Sequence, residues 1–157
     1  MILSKYMPTY STFNTFSSLL LLLKNKNIPP LLLCNSLGIF LSFHVAKIIY
    51  PASWDCIISN RNCSKKDFFL GNFVFHILPV ILAFVVLKRR KLHVKLWHPI
   101  ATSIFHILYC MIQNGGSLCL DNVYAPMPSE IWKVLWSTSI LGHFLGYIIA
   151  GNYRMKV

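Results

Sequence analysis

The feature that most constrains this chain is an apolar run at residues 68–88, F-F-L-G-N-F-V-F-H-I-L-P-V-I-L-A-F-V-V-L-K, followed at once by Arg89, Arg90 and Lys91. About 20 apolar residues in helical form reach about 30 Å, the thickness of a bilayer's hydrocarbon core. A basic cluster directly behind such a run is held on the cytosolic side. Within the run, Asn72 and His76 stand one helical turn apart on one face. Polar side chains inside a membrane helix are costly, which makes this pair a candidate functional site.

Composition points the same way. Only 12% of the 157 residues are charged and 55% are hydrophobic, against about 25% charged in soluble domains. The expectation is an all-α, polytopic membrane bundle forming a single domain over residues 1–157, with no room for a separate soluble domain. The net charge is +11, with 15 Lys and Arg against four acids. These bases gather at the ends of apolar runs, which is the pattern of membrane topology, and no nucleic-acid partner is expected. The five cysteines include no C-x-x-C, so neither a zinc ribbon nor a redox motif is indicated. Cys34 and Cys110 fall in apolar runs as packing residues, while Cys56 and Cys63 share a loop and could pair in an oxidising lumen.

Five spans are predicted, at residues 9–23, 31–50, 68–87, 96–113 and 131–150. The first is short and half polar, with Thr9, Thr12 and Thr15 on one face. Lys24-Asn25-Lys26 follows it, the wrong order for a cleaved signal, so it reads as a retained anchor. Pro29-Pro30 suits the start of the second span, and Lys47 can snorkel from near its end. The segment from Pro51 to Asp67 reads as a loop, with a glycosylation sequon at Asn62-Cys63-Ser64. Pro79 is expected to kink the third span. Asn114-Gly115-Gly116-Ser117 ends the fourth, and Gly142-x-x-x-Gly146 in the last is a small-residue stripe that a second copy could use for oligomerisation.

Charges in the loops set the orientation. Lys24, Lys26, Lys88, Arg89, Arg90, Lys91, Lys95, Arg154 and Lys156 fall on one side, and Lys5, Arg61, Lys65 and Lys66 on the other. The richer side is cytosolic, so the C-terminus is cytosolic and the N-terminus outside, in the endoplasmic reticulum or another internal membrane. On this topology His44, His76 and His106 lie roughly 9, 12 and 10 Å below the outer surface, Thr12 about 5 Å and His143 about 18 Å. Three histidines in one layer suit two chemistries. One is a metal or haem site, since imidazole binds Zn, Cu and Fe, although no H-x-x-x-H spacing supports it. The other is a histidine base for a hydroxyl nucleophile, with Asn72 orienting the imidazole from one turn away and no cofactor required. A third possibility is a non-catalytic assembly or channel protein.

Several short motifs resemble the androgen-induced gene family of multipass membrane lipid hydrolases. Tyr50-Pro51 ends a span, Asp55 and Ile57 follow, and Asn72-x-x-x-His76 opens the next span. Tyr10-Ser11-Thr12-Phe13-Asn14 is similar to that family's threonine segment, and residues 124–128 are similar to its aromatic-proline loop. The resemblance extends loosely over residues 6–153 and is best over 48–76. It implies hydrolysis of fatty acid esters of hydroxy fatty acids drawn from the bilayer, with Thr12 as nucleophile and His76 as base. His44 and His106 would be supporting residues beside Asn72. The chain departs from the family in being shorter, with a leading span missing, additional residues between Tyr50 and Asn72, and proline close behind His76.

Overall fold

The computed structural model describes residues 9–60, 62–120 and 126–152. Among these, all regular structure is helical, with no strand. Helix α1 covers Tyr10–Ser17 and continues as a 3-10 turn, Ser18–Leu22. Then come α2 (Ile28–Ile49), α3 (Ala52–Asn60), α4 (Lys65–Arg89), α5 (Trp97–Gln113) and α6 (Ser129–Asn152). Helices α2 and α4 are long and apolar enough to cross a membrane.

Helix α2 is the central element. Pro29 and Pro30 open it where their missing N–H groups cost nothing, and its first half is buried without a break from Leu32 to Ile39. Its most extensive partner is α6. The two approach closely because glycines face each other's backbones. A Cβ on Gly142 would lie 2.5 Å from the Leu37 carbonyl oxygen, and one on Gly146 would lie 3.1 Å from the Cys34 Cα. The Gly142-x-x-x-Gly146 stripe is therefore consumed inside the chain and is not left for a second copy. Gly38 completes the seam from the α2 side, beneath the His143 ring.

Two expectations change. The first span is not a full-length helix: eight α-helical and five 3-10 residues reach only about 22 Å. It is tied at its far end to the end of α4, where Arg90 donates to the Leu21 and Leu23 carbonyls at 2.9 and 2.8 Å. The expected loop before α4 instead holds a helix, α3, which seats Trp54 and Ile57 against Phe43 and Phe68. Helix α4 also starts earlier than its hydropathy suggests. Ser64 caps it by accepting from Asp67 N–H at 3.1 Å, a Ser-x-x-Asp start placed ahead of the apolar run.

Smaller expectations fall into place. Lys47 reaches the Pro51 carbonyl and lies 5.5 Å over the Trp54 ring. Beyond Gln113, Gly115 and Gly116 have φ of +67° and +98°, a left-handed reversal that glycine adopts without strain, and Gly116 N–H closes back on Met111 O. Cys56 and Cys63 are not joined by a disulfide, so the pairing that their shared segment allowed is not made. Lys5, Arg61, Arg154, Lys156 and the first two residues of the aromatic-proline segment lie outside the described residues.

Candidate functional site

The middle of the bundle is polar. Asn14, Asn35, Ser36, His76, His106, Ser139 and His143 are all buried there. A hydrogen-bond chain fixes α1 to α2: Tyr10 OH donates to Asn35 Oδ1 at 2.5 Å, Asn35 Nδ2 to Asn14 Oδ1 at 2.8 Å, and Asn14 Nδ2 to Ser36 Oγ at 3.0 Å. Satisfied networks of this kind set one rotation of a helix about its axis, because any other rotation strands buried donors.

That rotation decides which hydroxyl meets His76. Ser11 Oγ lies 3.1 Å from His76 Nε2. Thr12, the nucleophile the family resemblance implies, is turned away. Its hydroxyl pairs with Thr9 Oγ1 at 2.8 Å, and its N–H donates to the same Thr9 oxygen, which caps α1. Ser11 belongs to the first turn of α1, where helix N–H groups lack intrahelical partners and the helix dipole favours negative charge. Sequence reasoning missed Ser11 because it is buried by α1's rotation and belongs to no hydroxyl repeat. The signal that was present is its place one residue after Tyr10, the anchor of α1.

A π-helical turn over Phe73–Ile77 aims His76. Pro79 has no N–H to give the Phe75 carbonyl four residues back. The helix widens there rather than simply kinking, with Leu78 N–H donating to Phe73 O. Thr15 Oγ1 donates to the Phe75 carbonyl at 3.5 Å and to the Ser11 carbonyl at 3.0 Å. One threonine therefore bridges the turn that carries His76 and the turn that carries Ser11. Phe43 stacks on the His76 ring at 3.8 Å and 13° and holds its plane. Restoring the missing donor in Pro79→Ala lets α4 recover its α-helical pattern and rotates His76 off Ser11. The expected result is at least about a tenfold drop in any Ser11-dependent reactivity with unchanged helix content by circular dichroism. Unchanged reactivity would mean that the π turn does not aim the ring.

The other sequence candidates separate. Asn72 does not reach His76 by any hydrogen bond described; its Nδ2 donates to His44 Nε2 at 3.4 Å, while His44 Nδ1–H is taken by the Phe40 carbonyl at 2.7 Å. Counted from Lys65, His76 lies about 17 Å along its helix. His106 meets His143 instead, with Nδ1 and Nε2 3.3 Å apart. The histidine layer thus resolves into separate pairs. Among the described residues, no three His, Cys, Asp or Glu side chains come together in a way that could hold a metal ion.

Two cavities meet at the Ser11–His76 pair. One, of ≈ 80 Å³, is mostly apolar, with Ile39, Phe43, Trp54, Trp132 and Leu135 among its walls. The other, of ≈ 200 Å³, is bordered by Thr9, Thr12, Asp67 and Asn72. Ser11, His76, Phe43 and Ile57 border both. No family model matches this chain, and neither the curated proteins nor the solved structures compared with it yield a match.

Proposed function

We propose that this chain is an integral membrane hydrolase of lipid esters in which Ser11 is the nucleophile and His76 the base. The observation that carries this reading is the buried 3.1 Å contact between Ser11 Oγ and His76 Nε2 at the junction of the two cavities. A serine hydroxyl is a poor nucleophile until an adjacent imidazole can take its proton, and this distance is within the reach required. His76 acts as the tautomer with its proton on Nδ1, so that Nε2 accepts from the Ser11 hydroxyl.

The membrane setting follows from an inverted surface. Leu22 and Ile48 are 81% and 76% exposed while Asn14 is fully buried. Apolar side chains outside and polar ones inside suit a lipid surround, where polar groups have to find each other. In this reading α2, α4, α5 and α6 cross the bilayer and α1 enters part-way from the basic end, where Arg90 holds it. Positive charge at that end supports a cytosolic orientation for it, and the proposed setting is an internal membrane such as the endoplasmic reticulum.

Chemistry on the two sides of Ser11 would differ. The apolar cavity has room for the carbonyl end of the ester, and the cavity bordered by Thr9, Thr12 and Asp67 admits water. Ser11 Oγ attacks the carbonyl carbon, His76 receives its proton and passes it to the departing alcohol, and water activated by His76 then releases the acid. No cofactor is needed. The resemblance to the androgen-induced gene family suggests fatty acid esters of hydroxy fatty acids as substrates, reached sideways from the bilayer. The test is covalent labelling of the purified chain in lipid nanodiscs with a fluorophosphonate, together with release of acid from such an ester. Labelling that is absent in the wild type, or that survives His76→Ala undiminished, would sink the proposal.

A further inference from the structure

A second serine–histidine contact borders the apolar cavity, and the hydrolytic steps above do not use it. Ser139 Oγ, from α6, lies 3.1 Å from Nδ1 of His106, from α5. Both residues are buried and both line the cavity that Ser11 and His76 line. The His106 ring is fixed on several sides. Tyr10 stacks on its face at 3.9 Å and 8°, Trp136 meets it edge-on at 5.1 Å, and His143 Nε2 approaches Nδ1 at 3.3 Å. Nδ1 lies within hydrogen-bond distance of both Ser139 Oγ and His143 Nε2, and the tautomer in which it accepts from Ser139 carries the imidazole's own proton on Nε2. Tyr10, Ser11 and His106 all line this one cavity, so the ring that Tyr10 holds borders the same space as Ser11.

The cavity is small. At ≈ 80 Å³ it is about half the volume that accommodates benzene, so it has room for little more than the group around the ester carbonyl. Resting on the reading of Ser11 and His76 as a hydrolytic pair, we infer that His106 donates the hydrogen bond that stabilises the oxygen anion formed at the ester carbonyl, with Ser139 and His143 as its positioning residues. The bond between Ser11 Oγ and the carbonyl carbon forms as the carbonyl π pair moves onto oxygen. The Ser11 proton goes to His76, and His106 lends its N–H to the oxygen without giving it up. When the anion collapses, the bond to the alcohol oxygen breaks and His76 returns the proton to that alcohol. A donor already locked by its neighbours needs no reorganisation as charge develops, which is the condition under which such donors contribute most.

The experiment is steady-state hydrolysis of 4-nitrophenyl butyrate by the full chain in nanodiscs, comparing wild type with His106→Leu, His106→Gln and Ser139→Ala. The expected results are a kcat about 100-fold lower in His106→Leu at nearly unchanged KM, and recovery of about tenfold of that loss in His106→Gln, whose amide keeps a donor. Ser139→Ala lowers kcat by about tenfold through a less fixed ring. Wild-type kcat in folded His106→Leu, or a loss confined to KM, overturns the assignment. Should His106→Leu not fold, full kcat in both His106→Gln and Ser139→Ala overturns it equally. An inactive Ser11→Ala beside a fully active His106→Leu removes only the role given to His106, whereas wild-type turnover in Ser11→Ala removes the hydrolytic reading itself.

Discussion

Ser11→Ala is expected, on the proposed hydrolytic role, to abolish fluorophosphonate labelling and to lower ester hydrolysis by about 10⁴-fold or more, whereas Thr12→Ala is expected to keep both within about threefold of wild type. The two hydroxyls are neighbours in sequence, but on a helix they point about 100° apart. Only Ser11 meets His76 Nε2; Thr12 spends its hydroxyl on Thr9 at the cap of α1. Losing Ser11 removes the bond-forming atom, and water in its place lacks the fixed approach that makes the attack effectively unimolecular. Losing Thr12 costs a cap-side hydrogen bond, worth about 1 kcal/mol. The comparison separates the geometry from the family resemblance, which implies Thr12. Loss of labelling in Thr12→Ala with retention in Ser11→Ala would mean that α1 turns by one residue when substrate binds, and the tyrosine-asparagine network would have to break to allow it. Intact mass spectrometry of the labelled protein, followed by peptide mapping of residues 9–23, identifies the modified oxygen directly.

Gly142→Leu unfolds the bundle or lowers its melting temperature by about 10 °C, the equivalent of about 3 kcal/mol for a chain of this size. The first atom of the new side chain would stand 2.5 Å from the Leu37 carbonyl oxygen and 2.8 Å from the Gly38 Cα. These are backbone atoms of a central helix and cannot swing aside as a side chain would. Relief requires α2 and α6 to separate, which opens the largest helix interface in the molecule. Gly38→Ala tests the same seam from the other side, where the new methyl would meet the buried His143 ring at 2.5 Å. That ring would be driven toward His106, so this variant disturbs the cavity as well as stability. Thermal melting in detergent reads both effects, and an unchanged melting temperature in Gly142→Leu would mean that the two helices pack elsewhere.

The legible part of this molecule was whatever depends on local pattern. Apolar runs and the Pro29-Pro30 start located α2, the central span, to within three residues at its start and one at its end. The basic stop at Arg89 and Arg90 located the end of α4, and Asn114 with the two glycines located the end of α5. His76 stood out because a histidine in a long apolar run is costly anywhere. Helix α3 was hidden because nine residues of mixed character carry too little periodicity to stand apart from a loop. The early start of α4 was hidden because Lys65, Lys66 and Asp67 mask a helix that hydropathy sees only from Phe68 onward.

Sequence by itself determined that the chain is helical and apolar, with buried histidines and a basic end. Those properties follow from residue type and from the 3.6-residue period, and both can be counted along a chain. Tertiary structure alone decided the site. Which hydroxyl faces His76 depends on the rotation of one eight-residue helix, and that rotation is set by Tyr10 and Asn14 meeting Asn35, 25 and 21 positions away respectively. The direction of His76 depends on a π turn that Pro79 permits and Thr15 braces from another helix. Contacts between distant residues carry no period, so the run at residues 68–88 announces a histidine in the bundle while only the packed bundle says what that histidine touches.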